Sequence, residues 1–313
     1  MNGPFGFVVI DKPQGITSHD CVNKVRKIFQ IKRVGHGGTL DPAVTGVLPI
    51  ALGPATRLLQ YLPSDKTYIG IIQLGKRTTT DDLHGEIISN ECWPSLDEHS
   101  LELHLDHFRG LIQQQPPQVS SIHVDGQRAY KRVQRGEKLA LPARPITVHE
   151  LLLLSWDQKV GQIKINVHCS SGTYIRALAR DLGERLGCGG CLASLRRTQA
   201  LGFKETQSFP LPLDDDDDNY FSCCPQVISP ISALSHLPHF QLTTQEELTS
   251  WRTGRQLDIA NTTIKPSQQS QLSLNEGKTT SIAILDPLGE VVGIAERKTS
   301  LVLQPKIVFN ALG

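Results

Sequence analysis

Asp41 lies in "VGHGGTLDPAVTGVLPIALG" (Val34 to Gly53), where glycines, a histidine and one aspartate followed by proline interrupt an otherwise apolar stretch. Three chemistries fit such a loop: a phosphate cradle, a plain turn, or a carboxylate presented to a substrate. A dinucleotide fingerprint requires G-x-G-x-x-G, but Gly35-His36-Gly37 is followed by Gly38-Thr39-Leu40, so the third glycine is missing. A P-loop requires lysine before Ser or Thr, and no lysine occurs between Arg33 and Lys66. Asp41-Pro42 on its own opens a turn. Gly35, Gly37 and Gly38 would let a bulky ligand approach the backbone, and His36 stands five residues before the carboxylate. Turn and reactive group both stay open on these residues.

Other chemistry-bearing residues are sparser. Cys188 and Cys191 in "CGGC" have the spacing of half a zinc site, but no second CxxC or HxxxH pair follows, and Cys223 and Cys224 are adjacent. Seven cysteines, an odd number without a recognisable export signal, are expected to be free thiols, and no metal is expected. The short apolar runs exclude a membrane helix, and the N-terminus lacks the basic segment of a secretory leader, so a cytoplasmic protein is expected. The net charge of +1 hides an asymmetry: residues 1–213 carry 25 basic and 19 acidic side chains, residues 214–313 carry 7 and 12. A basic larger part suits a polyanion such as RNA.

These groups must be positioned by elements whose periodicities are mixed. "SHDCVNKVRKIF" predicts a helix with Ser18 as N-cap and Val22, Val25, Ile28 and Phe29 on its buried face. "GPATRLLQYL" predicts a second helix, with Pro54 in its first turn. "TYIGIIQLG", "ITVHELLLLSW" and "GQIKINVHCS" read as strands. In "SGTYIRALARDLGERLG" Ile175, Leu178, Ala179, Leu182 and Leu186 recur at helical spacing, ended by Gly187. Arg176 and Arg180 then fall off the apolar stripe, and the ordinary reading of Arg176 is a solvated residue. The run Asp214–Asp218 between prolines reads as a linker. Beyond it, two strands joined by Asp286-Pro-Leu-Gly289 and a third near Leu301 to Leu303 predict a small β-rich domain. The fold class expected is α/β (α+β), with a β-rich C-terminal unit.

"GHGGTLDPAVTGVLPIALGPATRLLQYL" resembles the signature of the bacterial TruB family of tRNA pseudouridine synthases, which places a catalytic aspartate at Asp41. "GFVVIDKPQGITSHDCVNKVRKIF", with Lys12 and Pro13, is similar to that family's opening segment. "SDKTYIGIIQLGKRTTTDDLHG" resembles the block carrying a tyrosine, here Tyr68, and the pattern Thr78, Thr80, Asp82, Gly85. "QQQPPQVSSIHVDGQRAYKRVQRGE" is similar to an RNA-contacting segment, with His123 and Ser121 where the family has lysine and alanine. "VHCSSGTYIRALARDLGERLGCGGCLASLRRT" resembles the block supplying an arginine, here Arg176, and a leucine, here Leu195. Five blocks recur in order across most of residues 6–200.

The resemblance implies a pseudouridine synthase fold, with a mixed, largely antiparallel sheet flanked by helices over residues 1–213, an RNA-clamp insertion at about 115–145, a linker over 214–233 and a PUA-like unit over 234–313. It implies isomerisation of uridine to pseudouridine at tRNA position 55, in the TΨC stem-loop, on a flipped-out base, with no cofactor, no membrane and no required protein partner, by a monomer. Asp41 would be the nucleophile, which Arg176 would hold charged and oriented. Tyr68 would stack on the uracil and assist proton removal. His36, Asp82, Tyr130, Leu195, Lys12, Arg128, Lys131 and Arg132 would contact or shape the substrate site. The competing reading of the whole chain is an RNA-binding module or chaperone that keeps this fold without catalysis.

Overall fold

The computed structural model describes residues 3–120, 122–124, 126–133, 135–137, 139–211, 224–258, 280–297 and 302–312, except the side chain of Tyr130. Asp214–Asp218, Ser121, Lys138, Cys223 and Leu301 therefore lie outside the described residues. The chain opens with β1 (Gly6–Lys12), α1 (Ser18–Phe29), β2 (Val34–His36), β3 (Thr45–Leu52) and β4 (Lys66–Leu74). Next come the hairpin β5 (Lys76–Thr78) and β6 (Ile87–Asn90), then α2 (Glu98–Leu105) and β7 (Gly110–Gln114). A small insertion follows, formed by β8 (His123–Val124), β9 (Gln127–Arg128) and α3 (Ala129–Val133). The main sheet is completed by β10 (Arg144–Asp157), β11 (Gln162–Cys169), β12 (Gly190–Ala200), β13 (Phe203–Lys204) and β14 (Phe209–Pro210), with α4 (Ile175–Arg185) between β11 and β12.

The main sheet runs β14-β1-β3-β12-β4-β11-β10-β7, with β2 on β3 and β13 on β12. Only the pairs β1/β14 and β3/β12 are parallel, so the sheet is mixed and largely antiparallel. β12, late in sequence, is inserted between β3 and β4, which do not pair with each other. Central strands are covered on both faces, and their sequences are accordingly apolar at successive positions rather than alternating. In β1, Val8 and Ile10 enter one core with α1 and α4, while Phe7 and Val9 enter another on the opposite face.

Helix α1 buries Val22, Val25 and Ile28 as expected, but its N-cap is Thr17, not Ser18. Thr17 and Asp20 form a reciprocal capping box, which satisfies two orphan donors where a lone Ser18 would satisfy one. The predicted helix after β3 is a 3₁₀ segment, Gly53–Tyr61, burying Ala55 and Leu58. Helix α4 buries Ile175, Leu178, Ala179 and Leu182, and Gly187 follows it at φ +73°. Arg176 is buried as well, contrary to the expectation that it lies off the stripe, because its guanidinium turns under the neighbouring loops described below.

The interior of α4 also explains a glycine. A Cβ on Gly183 would lie 2.1 Å from the Gly189 carbonyl carbon and the Gly190 nitrogen, so helix and strand backbones meet there with no room for a side chain. Gly183→Ala is expected to destabilise the fold by about 1–3 kcal/mol, seen as a fall of several degrees in the thermal unfolding midpoint. An unchanged midpoint would contradict this packing.

The C-terminal part comprises α5 (Pro230–Ala233), β15 (His239–Gln241), α6 (Gln245–Arg252), β16 (Leu257–Asp258), β17 (Thr280–Leu285), β18 (Val291–Arg297) and β19 (Val302–Val308). Its sheet has the order β15-β17-β18-β19-β16 around its own core, with Trp251 fully buried and its indole donating to the Val292 carbonyl. The third strand of the predicted β unit starts at Val302 and runs longer than expected. Inside the segment expected as linker, Ile228 exchanges two backbone hydrogen bonds with Phe7. A second apolar cluster is continuous from Phe7, Val47 and Ala51 to Leu234, Ala283, Ile294 and Phe309, so the main sheet and the C-terminal sheet share a core.

Candidate active site

Asp41 is carried by the loop between β2 and β3, and that loop is braced from three sides. The buried Ser18 hydroxyl accepts from the Leu40 N–H at 2.8 Å and donates to the Leu40 carbonyl at 3.2 Å. Lys12, expected at the substrate, is fully buried instead, and its ammonium donates to the carbonyls of Pro13, Ile16 and Pro42 at 2.8, 2.7 and 3.1 Å. Three donors matched to three carbonyls make it a brace for the residue next to Asp41, and burial lowers its pKa. From β12, Arg197 donates to the carbonyls of Gly38 and Val47 at 3.1 and 2.8 Å. Asp41 is also a turn residue, its carbonyl accepting from the Val44 N–H at 3.0 Å.

The loop glycines face protein. A Cβ on Gly37 would strike the Leu201 side chain at 2.1 Å, Gly35 lies over Thr56 and Leu59, and Gly38 has φ +117°. Tight packing accounts for Gly37 and a left-handed backbone for Gly38, rather than the clearance for a ligand expected from the sequence, while Gly35 meets only ordinary contacts.

The Asp41 carboxylate is 48% exposed and meets the 9% exposed Arg176 guanidinium at 3.0 Å. A reachable anion thus rests on a cation that water hardly touches. Arg176 is itself fixed by the carbonyls of Thr80 at 2.9 Å and Val119 at 3.0 Å, with Asp82 at 3.8 Å. Asp82 is held in its turn by the Thr80 hydroxyl at 2.7 Å and the His84 N–H at 3.0 Å. α4 positions the arginine, the turn after β5 supplies Asp82, and the insertion supplies Val119. The guanidinium therefore reads the placement of both loops.

Tyr68 stands on β4, buried, with Arg197 opposite it on β12 and Val167 opposite it on β11. Burial raises its phenol above the ordinary value, while the Arg197 cation opposes that rise. Leu195 lies against Gly70, where an added Cβ would be 3.2 Å from its methyl, and so shares a face of the sheet with Tyr68. His36 is half buried with its Nδ1 lacking a hydrogen-bond partner, and burial followed by the Arg197 charge lowers its pKa, leaving the ring neutral at pH 7.

In the insertion, Arg128 and Lys131 are exposed, and Arg132 pairs with Glu137 at 2.7 Å. Tyr130 belongs to α3, and its side chain lies outside the description. A small core of Ala129, Leu139 and Leu141 with Val124 and Val133 supports this segment. Its root is pinned by Gln114, which exchanges hydrogen bonds with the Tyr174 backbone at 2.9 and 3.1 Å.

Sequence reasoning missed Arg197 and the bracing roles of Ser18 and Arg180. Arg197 and Ser18 are isolated buried polar residues without a spacing pattern. Arg180, noted only as lying off the stripe, ties Asp81 at 3.0 Å and the Gln115 carbonyl at 2.8 Å, joining the Asp82 turn to the insertion. Asp81 has φ +60°, a conformation tolerated by Asp better than by most residues, and that was legible only as a general preference.

The mixed sheet thus presents the half-exposed Asp41 carboxylate against the buried Arg176, and the comparisons with known proteins give the class of this fold. The same fold, over 98% of this chain and 86% of the other, is found in the archaeal box H/ACA sRNP Nop10-Cbf5 complex, with a TM-score of 0.68 and 25% identity. An H/ACA RNP bound to a substrate RNA containing 2′-deoxyuridine contains a similar chain, with a TM-score of 0.67, 25% identity and coverage of 97% and 85%. Residues 26–175 match the TruB family pseudouridylate synthase N-terminal domain, and residues 176–212 the tRNA pseudouridylate synthase B C-terminal domain. Over the full length of both chains, the sequence is 54% identical to the tRNA pseudouridine synthase B of Prochlorococcus marinus (strain MIT 9313) and 56% identical to that of Parasynechococcus marenigrum (strain WH8102). The chain belongs to the TruB family of pseudouridine synthases.

Proposed function

We propose that this protein isomerises uridine to pseudouridine at position 55 in the TΨC arm of tRNA, acting alone on a flipped-out base. The observation that carries the reading is the half-exposed Asp41 carboxylate 3.0 Å from a buried, triply tethered Arg176. Isomerisation breaks the N1–C1′ bond, turns the uracil and joins C5 to C1′, without oxidation or hydrolysis. Attack on C1′, attack on the base and a glycal route each need an oriented carboxylate, and in this reading Arg176, 3.0 Å away, orients Asp41. In this reading Asp82 steadies Arg176, Tyr68 stacks on the uracil beside Leu195, and His36 displaces the target base from its stack. Extruding the base costs a few kcal/mol, which contacts in a closed pocket offset.

Residues 115–145, with Arg128, Lys131, Arg132 and Tyr130, act as the RNA clamp in this proposal, Lys12 bracing the loop from beneath. The C-terminal residues 234–313 form a PUA-like unit joined through 214–233, and the enzyme works as a cytoplasmic monomer without cofactor or protein partner. Purified protein incubated alone with an unmodified tRNA transcript should yield pseudouridine at position 55, mapped by carbodiimide-blocked reverse transcription. Modification only in the presence of a guide RNA or a protein partner would overturn the proposal, and binding without any modification would favour an RNA-binding module.

A further inference from the structure

We infer that Arg197 is a positioning residue for Tyr68: its guanidinium holds the phenol hydroxyl in place and stabilises negative charge on that oxygen. The inference rests on the proposed reaction for its purpose and on geometry for its substance. Arg197 and Tyr68 are register partners on adjacent antiparallel strands, so their side chains leave the sheet on one face. Arg197 has no exposed surface, and two of its nitrogens are fixed by the Val47 and Gly38 carbonyls. The third nitrogen, Nη1, is buried without a hydrogen-bond partner. Among the described residues no carboxylate forms an ion pair with Arg197, and a buried cation left so incomplete is costly unless it faces a group that can carry negative charge. Tyr68 is that group: it stands opposite Arg197 in the β4–β12 register, and the guanidinium charge favours ionisation of its buried phenol.

The other titratable groups acting on Tyr68 are Cys169 on β11 and Asp41 in the loop, both of which disfavour its ionisation. Lys12 and Lys66 also feel the Arg197 charge, which lowers the pKa of each and of the His36 ring, so Tyr68 is the neighbour on which that cation favours negative charge. Because the same guanidinium also holds Gly38, three residues before Asp41, it fixes phenol and nucleophile loop relative to each other. In the last step of the proposed reaction the C5–H bond breaks, its electron pair restores the C5–C6 double bond, and the phenolate oxygen takes the proton.

The test compares native protein with Arg197→Met in two measurements. Single-turnover pseudouridine formation on saturating tRNA transcript should slow by about 10- to 100-fold, part of the ~10²–10⁴ that a positioned acid–base group supplies, with tRNA affinity unchanged. Ultraviolet titration of phenol ionisation, each protein referenced to its own Tyr68→Phe counterpart, should show Tyr68 ionising at higher pH without Arg197. A merely structural arginine would lower stability without moving that titration. An unmoved titration, or a native single-turnover rate, overturns the inference. Should the methionine variant not fold, Arg197→Gln, which keeps amide donors for the two carbonyls and removes the charge, is judged by the same two readouts. The titration needs no substrate, so it decides the Arg197–Tyr68 coupling even if native protein forms no pseudouridine, a result that would instead refute the proposed function.

Discussion

Asp41→Asn is expected to abolish pseudouridine formation while leaving the fold and tRNA affinity close to native. The amide is the same size as the carboxylate, and the loop is held by Ser18, Lys12 and Arg197 through backbone groups of Leu40, Pro42 and Gly38, none of which the substitution touches. What disappears is the proposed nucleophile and the ion pair to Arg176 at 3.0 Å. With the proposed reacting carboxylate lost, the rate should drop by roughly 10⁴-fold or more, a large share of an acceleration that in enzymes begins near ~10⁶. Measuring tRNA affinity by filter binding beside single-turnover conversion separates chemistry from binding. Conversion by the variant within tenfold of native, about the smallest change a lost nucleophile could leave, would refute the assignment.

Arg176→Lys is the second substitution with a large expected effect, although it keeps the charge. A lysine ammonium cannot reach in a fixed plane to Asp41, Thr80 and Val119 at once, which the guanidinium does at 3.0, 2.9 and 3.0 Å. One or more buried carbonyls lose their donor, at about 1–3 kcal/mol each. The carboxylate becomes free to rotate. Turnover should fall by about 10²–10³-fold, the range seen when one preorganised electrostatic partner is removed, with a smaller loss of thermal stability. Since Val119 belongs to the insertion, the variant should also loosen that segment, seen as faster amide hydrogen exchange around residue 119. Full turnover with lysine would show that charge alone suffices and that the fork of hydrogen bonds is dispensable.

The legibility of this chain was uneven for physical reasons. Asp41 looked like a turn residue and is one; only its neighbourhood in sequence raised it above that. The face of α4 was readable because Ile175, Leu178, Ala179 and Leu182 repeat with the helix, whereas Arg176 beside them was misplaced. Periodicity assigns a charged residue to solvent, and only the tertiary fold shows that three loops converge to receive it. The N-cap was missed by one residue although Thr17-x-x-Asp20 was a capping signature in plain view. The glycines of the Asp41 loop were read as space for a ligand, but space cannot be told from packing without the Leu201 side chain that fills it. Arg197 carried no signal at all, since a single buried polar residue has no period and its partners lie far away in sequence.

The position of β12 between β3 and β4 sets a timetable for the site. Every strand that carries Asp41 or Tyr68 has been made well before Gly190–Ala200 leaves the ribosome, yet those strands have no contact ladder with each other until β12 arrives to pair with both. A nascent chain ending before residue 190 is thus a sheet split in two, with its aspartate and its tyrosine on separate halves and the cation between them still unmade. Long-range pairing of this kind is slow to form, and here one late strand is what joins the half of the sheet next to the Asp41 loop to the half that carries Tyr68.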